Sequence, residues 1–347
     1  LELMPEWTWT DDFLGEFEQR RGYDLTPYLP VNYVPGRDNK YLSVIMSALR
    51  PCFDLEGGLG ERVRQDFEQT VSDLFTERFV QAMTDWAETH GLRSRIQAYG
   101  VRADTLKAYG IAHIPETEQL YAGGMLDFLR LAGSAAAIYD KPLVTAESMV
   151  WSQRDYLTTP LKWKVAADRL FVAGVNQMIY HGFPYQHPDF PYPGYQPFSS
   201  PYIPKQMCFS SNFSRANPFW EFFPRMNAYV TRCQYALQSG RPVANVGLYY
   251  PLFNYPDAAL KREELIGGLL DENDAPLARR AVGGGIKKTL DDEERWALGQ
   301  ARLADELAAR GYSTVHINAE RLLAATIDPG QLVIGATRLE AIVLSHV

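Results

Sequence analysis

Apolar positions recur along the chain with two periods. Over 61–90, Val63, Phe67, Val71, Leu74, Phe75, Phe79, Ala82, Met83 and Trp86 are spaced mostly by threes and fours, which predicts a long amphipathic helix stopped by Gly91. Shorter patterns predict helices over 11–21, with Phe13, Leu14 and Phe17 on one side and Gly22 after it, over 124–139, and over 217–237 ahead of Gly240. Thr159 before Pro160 reads as an N-cap with proline in the first turn of a helix that runs to Ala173, ahead of Gly174. Between these helices, short apolar runs over 92–98, 111–115, 143–146 and 175–180 read as strands.

Strands alternating with helices imply parallel βαβ units. Polar residues sit where the strands end: Glu116 and Glu118, Glu147, and His181. In a (β/α) barrel those ends form the functional face, and a doubly wound sheet, the runner-up, also binds ligands there. The expected fold class is α/β, with a partial (β/α)8 TIM-type barrel over 1–240 that lacks its first strands. A second, partial α/β domain over 241–347 follows, with a strand over 243–250, a helix over 292–310 and a strand over 314–317. Residues 332–334 and 341–344 are expected to pair through a turn near Thr337 and Arg338.

Composition narrows the function classes. The net charge of -8 lacks the basic footprint of a general nucleic-acid binder. No run approaches the ~18 apolar residues of a membrane span. The three cysteines, Cys52, Cys208 and Cys233, exclude a disulfide framework and a four-thiolate zinc site. Aromatic residues reach 13%, which suits either a large core or surfaces that stack on sugars.

The acidic strand ends are the main chemical candidates. A carboxylate just past a buried strand stands at the mouth of a cavity, where desolvation raises its proton affinity toward that of a general acid. Two such groups flanking a sugar bond are the minimum for glycoside hydrolysis; taken singly, each also fits a helix cap or an ion pair. The loop over 184–204 has seven prolines and six aromatic residues among its 21, Tyr185 among them, and could present rigid rings to a pyranose or cap a hydrophobic barrel end. His181 and His187 flank the loop's start and suit hydrogen bonding to substrate hydroxyls or a structural role, because no metal-ligand motif accompanies them.

Several blocks resemble the α-L-rhamnosidases of glycoside hydrolase family 106. They are Trp9-Thr10 with Glu16-Phe17, the block Arg20-Arg21-Gly22-Tyr23-Asp24-Leu25-Thr26-Pro27, Gly174-Val175-Asn176, and Phe213-Ser214-Arg215-Ala216-Asn217-Pro218-Phe219-Trp220. Residues 243–251, and the hairpin expected to end at Leu344, resemble the amidotransferase-like (flavodoxin-like) domain that follows the barrel in that family. The resemblance implies an inverting, calcium-dependent rhamnosidase with a carbohydrate substrate, in the bacterial periplasm or outside the cell. It assigns Glu2 as general acid, Glu147 as general base, and Glu116 to orienting the water or the calcium shell. Glu118, His181, His187, Tyr185, Arg215 and Trp220 would contact substrate, and the calcium ligands are not assigned. An inverting pair implies that Glu2 and Glu147 face one cavity about 6.5–9.5 Å apart.

Two other readings compete. A retaining β-galactosidase-like enzyme shares the layout but usually has Asn-Glu at its acid strand, where this chain has Pro115-Glu116. A non-catalytic sugar-binding relative has no need of paired strand-end carboxylates. An amidotransferase is excluded because no cysteine follows Arg241. Leu1 is no initiator methionine and 341–347 reads as a strand without a tail, so the chain reads as a piece of a longer protein. An opened barrel exposes sheet edges; residues 1–347 expressed alone are therefore expected to aggregate and to lack rhamnosidase activity. Size-exclusion chromatography and an aryl rhamnoside assay beside the full-length protein check this, and a monodisperse, active monomer would refute it.

Overall fold

The computed structural model describes residues 9–33, 53–119, 121–151, 158–182, 213–215, 217–256, 292–328 and 330–345. Helix α1 (Phe13–Arg21) ends at Gly22, whose φ of 80° supplies the left-handed cap. Its Phe13 and Phe17 pack with Leu25, Val31, Val63, Val71 and Leu74 in a small core of their own. Helix α2 (Leu59–Leu74) runs through a π-helical stretch (Phe75–Gln81) into α3 (Ala82–Thr89). The expected long helix is therefore one helical run with a widened middle. At the start of the wide turn the Thr76 hydroxyl lies 2.9 Å from the Ser72 carbonyl and 3.0 Å from that of Asp73, competing with the regular ladder.

The Arg20–Asp24 block clasps α1 to this long helical run. Arg20 donates to Glu77 at 2.7 Å and to Glu16 at 3.1 Å. Arg21 donates to Thr70 at 2.9 Å and pairs with Asp73, and the Tyr23 hydroxyl donates to Asp66 at 2.9 Å. Burial, and then the Asp66 bond, push the Tyr23 hydroxyl up to about 12. The Arg20 guanidinium holds Glu77 below the usual carboxylate range.

Four strands follow: β1 (Arg95–Ile96), β2 (Ile114–Glu118), β3 (Thr145–Ser148) and β4 (Gln177–Tyr180). They form one parallel sheet in chain order. Helices α4 (Thr105–Ile111), α5 (Leu126–Ile138) and α6 (Pro160–Val172) make the three crossovers. The predicted cap holds, with the Thr159 hydroxyl accepting from the Lys162 N–H at 3.2 Å. Ile96, Ala98, Ala146 and Met178 face a core built with Leu106 and Tyr109 of α4, Phe128 and Leu129 of α5, and Trp163 and Leu170 of α6. Helix α7 (Phe223–Gln238) follows β4. Among the described residues no helix is long and apolar enough to cross a membrane.

The later residues supply β5 (Val246–Tyr249), α8 (Asp292–Ala309), β6 (Thr314–Ile317), the short helix α9 (Ala319–Leu323), β7 (Thr326–Asp328), β8 (Gln331–Ile334), β9 (Thr337–Leu339) and β10 (Ala341–Val343). Strands β10, β5 and β6 form a parallel sheet in that order, and β7, β8 and β9 an antiparallel one. The expected pairing of 332–334 with 341–344 is not observed. Strand β8 turns tightly at Gly335, with φ 57°, and pairs with β9, while β10 lies parallel to β5. A glycine at that φ makes a two-residue turn favourable, and the sequence reading placed the turn two residues too late.

The two parts share buried contacts. His316 Nε2 of β6 lies 3.1 Å from Asp127 Oδ1 of α5, the side chains 1% and 2% exposed. The Ser134 hydroxyl accepts from the His316 N–H at 3.0 Å, and the rings of Phe128 and Tyr255 meet at 5.5 Å.

Helix α5 also approaches backbone closely. A Cβ at Gly133 would stand 2.4 Å from the Ala173 carbonyl oxygen and 3.2 Å from Gly174 Cα, which leaves it no room. Gly133→Ala is expected to destabilise the fold by about 1–3 kcal/mol, as overpacking does, and to lower the thermal midpoint. Gly15→Ala, where a Cβ meets nothing within 4 Å, is expected not to lower it.

Candidate active site

Alternate residues of a strand share a face, and parallel register sets their heights. Glu116 lies level with Thr145, Glu118 with Glu147, and Glu147 with Ile179. Arg95 pairs with Ile114 and Ile96 with Pro115, and just past β1 the Gln97 side chain reaches Glu116 and the Tyr99 hydroxyl reaches Glu118. The face opposite the helices therefore carries Arg95, Gln97, Glu116, Glu118, Thr145 and Glu147, while Tyr99, its ring against Phe128 of α5, reaches Glu118 and Gln97 with its hydroxyl. Both Glu116 and Glu118 belong to it, Glu118 nearer the strand's end.

The carboxylates have different surroundings. Glu116 is 4% exposed. Its Oε2 accepts from the Thr145 hydroxyl at 2.7 Å and pairs with Arg95 Nε at 3.0 Å, and its Oε1 accepts from Gln97 Nε2 at 3.2 Å. Glu147 keeps 24% of its side chain exposed, with His181 Nε2 3.5 Å from Oε1. Its Oε2 accepts from Gln97 Nε2 at 2.7 Å. The Tyr99 hydroxyl lies 2.7 Å from Glu118 Oε2 and 2.8 Å from Gln97 Oε1. A phenol has one proton, so with Glu118 ionised Tyr99 serves one of these acceptors at a time. Tyr109, fully buried, is raised well above the ordinary tyrosine range by its burial first and the charge of Glu116 second, and stays protonated.

The structure brings together Glu116, Glu118, Glu147 and His181 of the residues singled out from the sequence. His181 continues the β3–β4 ladder, its N–H donating to the Ser148 carbonyl at 2.9 Å. Arg215 is exposed in the turn where the Asn217 N–H donates to the Ser214 carbonyl at 2.9 Å. Trp220 ends a chain of rings from β4: Tyr180 to Phe213 at 5.2 Å, Phe213 to Phe223 at 5.1 Å, and Phe223 to Trp220 at 5.3 Å. Among the described residues, no hydrogen bond or ion pair links Arg215 or Trp220 to the carboxylates. Glu2, Tyr185 and His187, and the whole aromatic loop over 184–204, lie outside the described residues.

Arg95, Gln97, Tyr99 and Thr145 were not singled out. The signal was present: Arg95, Gln97 and Tyr99 alternate with Ile96 and Ala98, which marks a strand with one apolar and one polar buried face. Among the described residues no three of His, Cys, Asp and Glu are grouped as a metal site requires.

The sequence profile of glycoside hydrolase family 106, described as alpha-L-rhamnosidase, matches residues 4–260. The chain belongs to this family. A Formosa agariphila protein named "Putative beta-glucuronidase" is 26% identical over 247 residues, covering 69% of this chain and 18% of that protein. The rhamnosidase from Novosphingobium sp. PP1Y matches in structure with a TM-score of 0.61 at 20% identity, over 98% of this chain and 27% of that one. The chain thus spans about a quarter or less of these relatives, and the solved structure supports the fold.

Glu116 satisfies three donors, two of them on buried side chains, so Glu116→Ala is expected to cost about 1–3 kcal/mol through donors left unpaired. Chemical denaturation checks this. An unchanged midpoint would show that the network around Glu116 contributes nothing to folding.

Proposed function

We propose that this chain carries part of the catalytic face of an inverting α-L-rhamnosidase, with Glu147 as general base. Membership of family 106 supports the class of reaction, and the sheet with strands in chain order supports reading it as a section of a (β/α) barrel. The observation that carries the assignment is the contrast between two carboxylates on one face. Glu116 is buried with its oxygens committed to Arg95, Thr145 and Gln97. Glu147 is held at one oxygen and partly open, so it can take a proton from water. In an inverting displacement, that water attacks the anomeric carbon on the face opposite the departing oxygen, while an acid protonates the leaving group. The acid role stays with Glu2 as a carry-over from the family.

In this reading Glu116 has a supporting role, keeping the Arg95 and Gln97 side chains in place; its contacts with both support that. His181 beside Glu147 is placed to bond a substrate hydroxyl or the water. The later parallel sheet is compatible with an amidotransferase-like domain. Calcium is a further proposal for the whole enzyme. The described residues do not by themselves make a calcium site, and no step here depends on one.

In the full-length protein, Glu147→Gln is expected to lower kcat by about 10²–10⁴-fold, the usual loss on removing a general base, with thermal unfolding unchanged. Wild-type and variant are assayed on aryl α-L-rhamnoside and aryl β-D-glucuronide, the second because of the name of the Formosa relative. Activity within about threefold of wild type, far inside that range, would remove Glu147 from the mechanism. Turnover of the glucuronide alone would overturn the substrate assignment.

A further inference from the structure

Gln97 is 2% exposed and lies on none of the catalytic positions assigned above, yet its one amide joins two of the acidic groups. Nε2 has two protons: one reaches Glu116 Oε1 at 3.2 Å and the other Glu147 Oε2 at 2.7 Å. The amide could be turned over, but its oxygen would then face two carboxylates, so chemistry fixes the orientation. Tyr99 reinforces it, its hydroxyl lying 2.8 Å from Gln97 Oε1. The Tyr99 ring is itself seated against Tyr121 at 4.5 Å and Phe128 at 5.3 Å.

From this arrangement we infer that Gln97 is a positioning residue for catalysis, using buried Glu116 as an anchor to hold Glu147 at the angle that a general base needs. The inference rests on the reading of Glu147 as that base. Gln97 spends its second proton on a group that Arg95 and Thr145 already fix, so the amide cannot swing with Glu147. Among the described residues, the charged and titratable groups around Gln97 are Arg95 and Tyr99 beside it, Glu116 and Glu118 on β2, Glu147 on β3 and His181 after β4. None of the others donates to Glu147 Oε2 in the bonds described above.

The test uses the full-length protein. Gln97→Leu keeps the bulk and removes both donors. The expected fall in kcat is about 10–100-fold, the range seen when a group that orients a reactive residue is lost, with KM little changed. Tyr99→Phe leaves the ring and loses the hydroxyl beside the amide oxygen, so it should lower kcat in the same way by less. It also serves if Gln97→Leu does not fold.

A double-mutant comparison separates the failures. If Gln97 acts through Glu147, adding Gln97→Leu to Glu147→Gln costs little more than Glu147→Gln alone. Independent, multiplying losses would overturn the positioning role. So would a folded Gln97→Leu enzyme with wild-type kcat while Glu147→Gln is inactive. An active Glu147→Gln enzyme would instead sink the base assignment and this inference with it.

Discussion

Like charges on one face of a parallel sheet are the constraint around which this site is built. Neighbouring strands lie about 4.8 Å apart, and two bare carboxylates at that spacing repel by about 3 kcal/mol at an effective dielectric near 20. Register puts Glu118 level with Glu147, and Glu116 one step below them. The sheet offsets the repulsion with donors placed at the same heights: Arg95 and Thr145 on Glu116, Gln97 between Glu116 and Glu147, and Tyr99 beside Glu118. The donors are unevenly shared. Glu116 receives three contacts and is closed off, while Glu147 keeps an exposed edge. The proposed difference in chemical role rests on that unequal distribution, since the residue type is the same.

The blocks that mark the family in the sequence are mostly scaffold. Arg20, Arg21 and Tyr23 tie α1 to the long helical run through Glu77, Asp73, Thr70 and Asp66, and Asp24 caps the next turn by accepting from the Thr26 N–H at 2.8 Å. They make no contact with the carboxylate face in the bonds described here. Family membership and site assignment are therefore separate inferences, and the second depends on register and burial.

Much of the fold was legible because its signals were local. Thr159 with Pro160 announced α6, Gly22 closed α1, and apolar runs ending in Glu116, Glu147 and His181 located three of the four parallel strands. The features that were missed depend on contacts between distant segments. Gln97 looks like any polar residue in a short strand until β2 and β3 bring Glu116 and Glu147 beside it, 19 and 50 residues away in sequence. The division between Glu116 and Glu147 was hidden for the same reason, because burial belongs to the packed sheet. The C-terminal error was different in kind. Strand β10 is three residues long and could join either sheet by pattern alone, and the preference for β5 comes from the parallel partner already in place.

Helix α5 links the spacing of the acid strands to the later part of the chain. It connects β2, which bears Glu116 and Glu118, to β3, which bears Glu147. One side of it is held at Gly133 against the turn after α6, so it cannot slide without a backbone collision. Another side is fixed by the buried pair of Asp127 with His316 and by the Ser134 contact with the His316 N–H. Just past its end, Asp140 accepts from the Ala336 N–H at 3.1 Å, and within its last turn the Ala137 carbonyl accepts from the Thr337 hydroxyl at 3.0 Å. Two buried polar side chains resist separation because either one, left alone, would be a polar group out of water without a partner. The later sheet thus acts on the site without touching it: by holding the helix between two acid-bearing strands, it fixes the framework within which Gln97 can bridge Glu116 and Glu147.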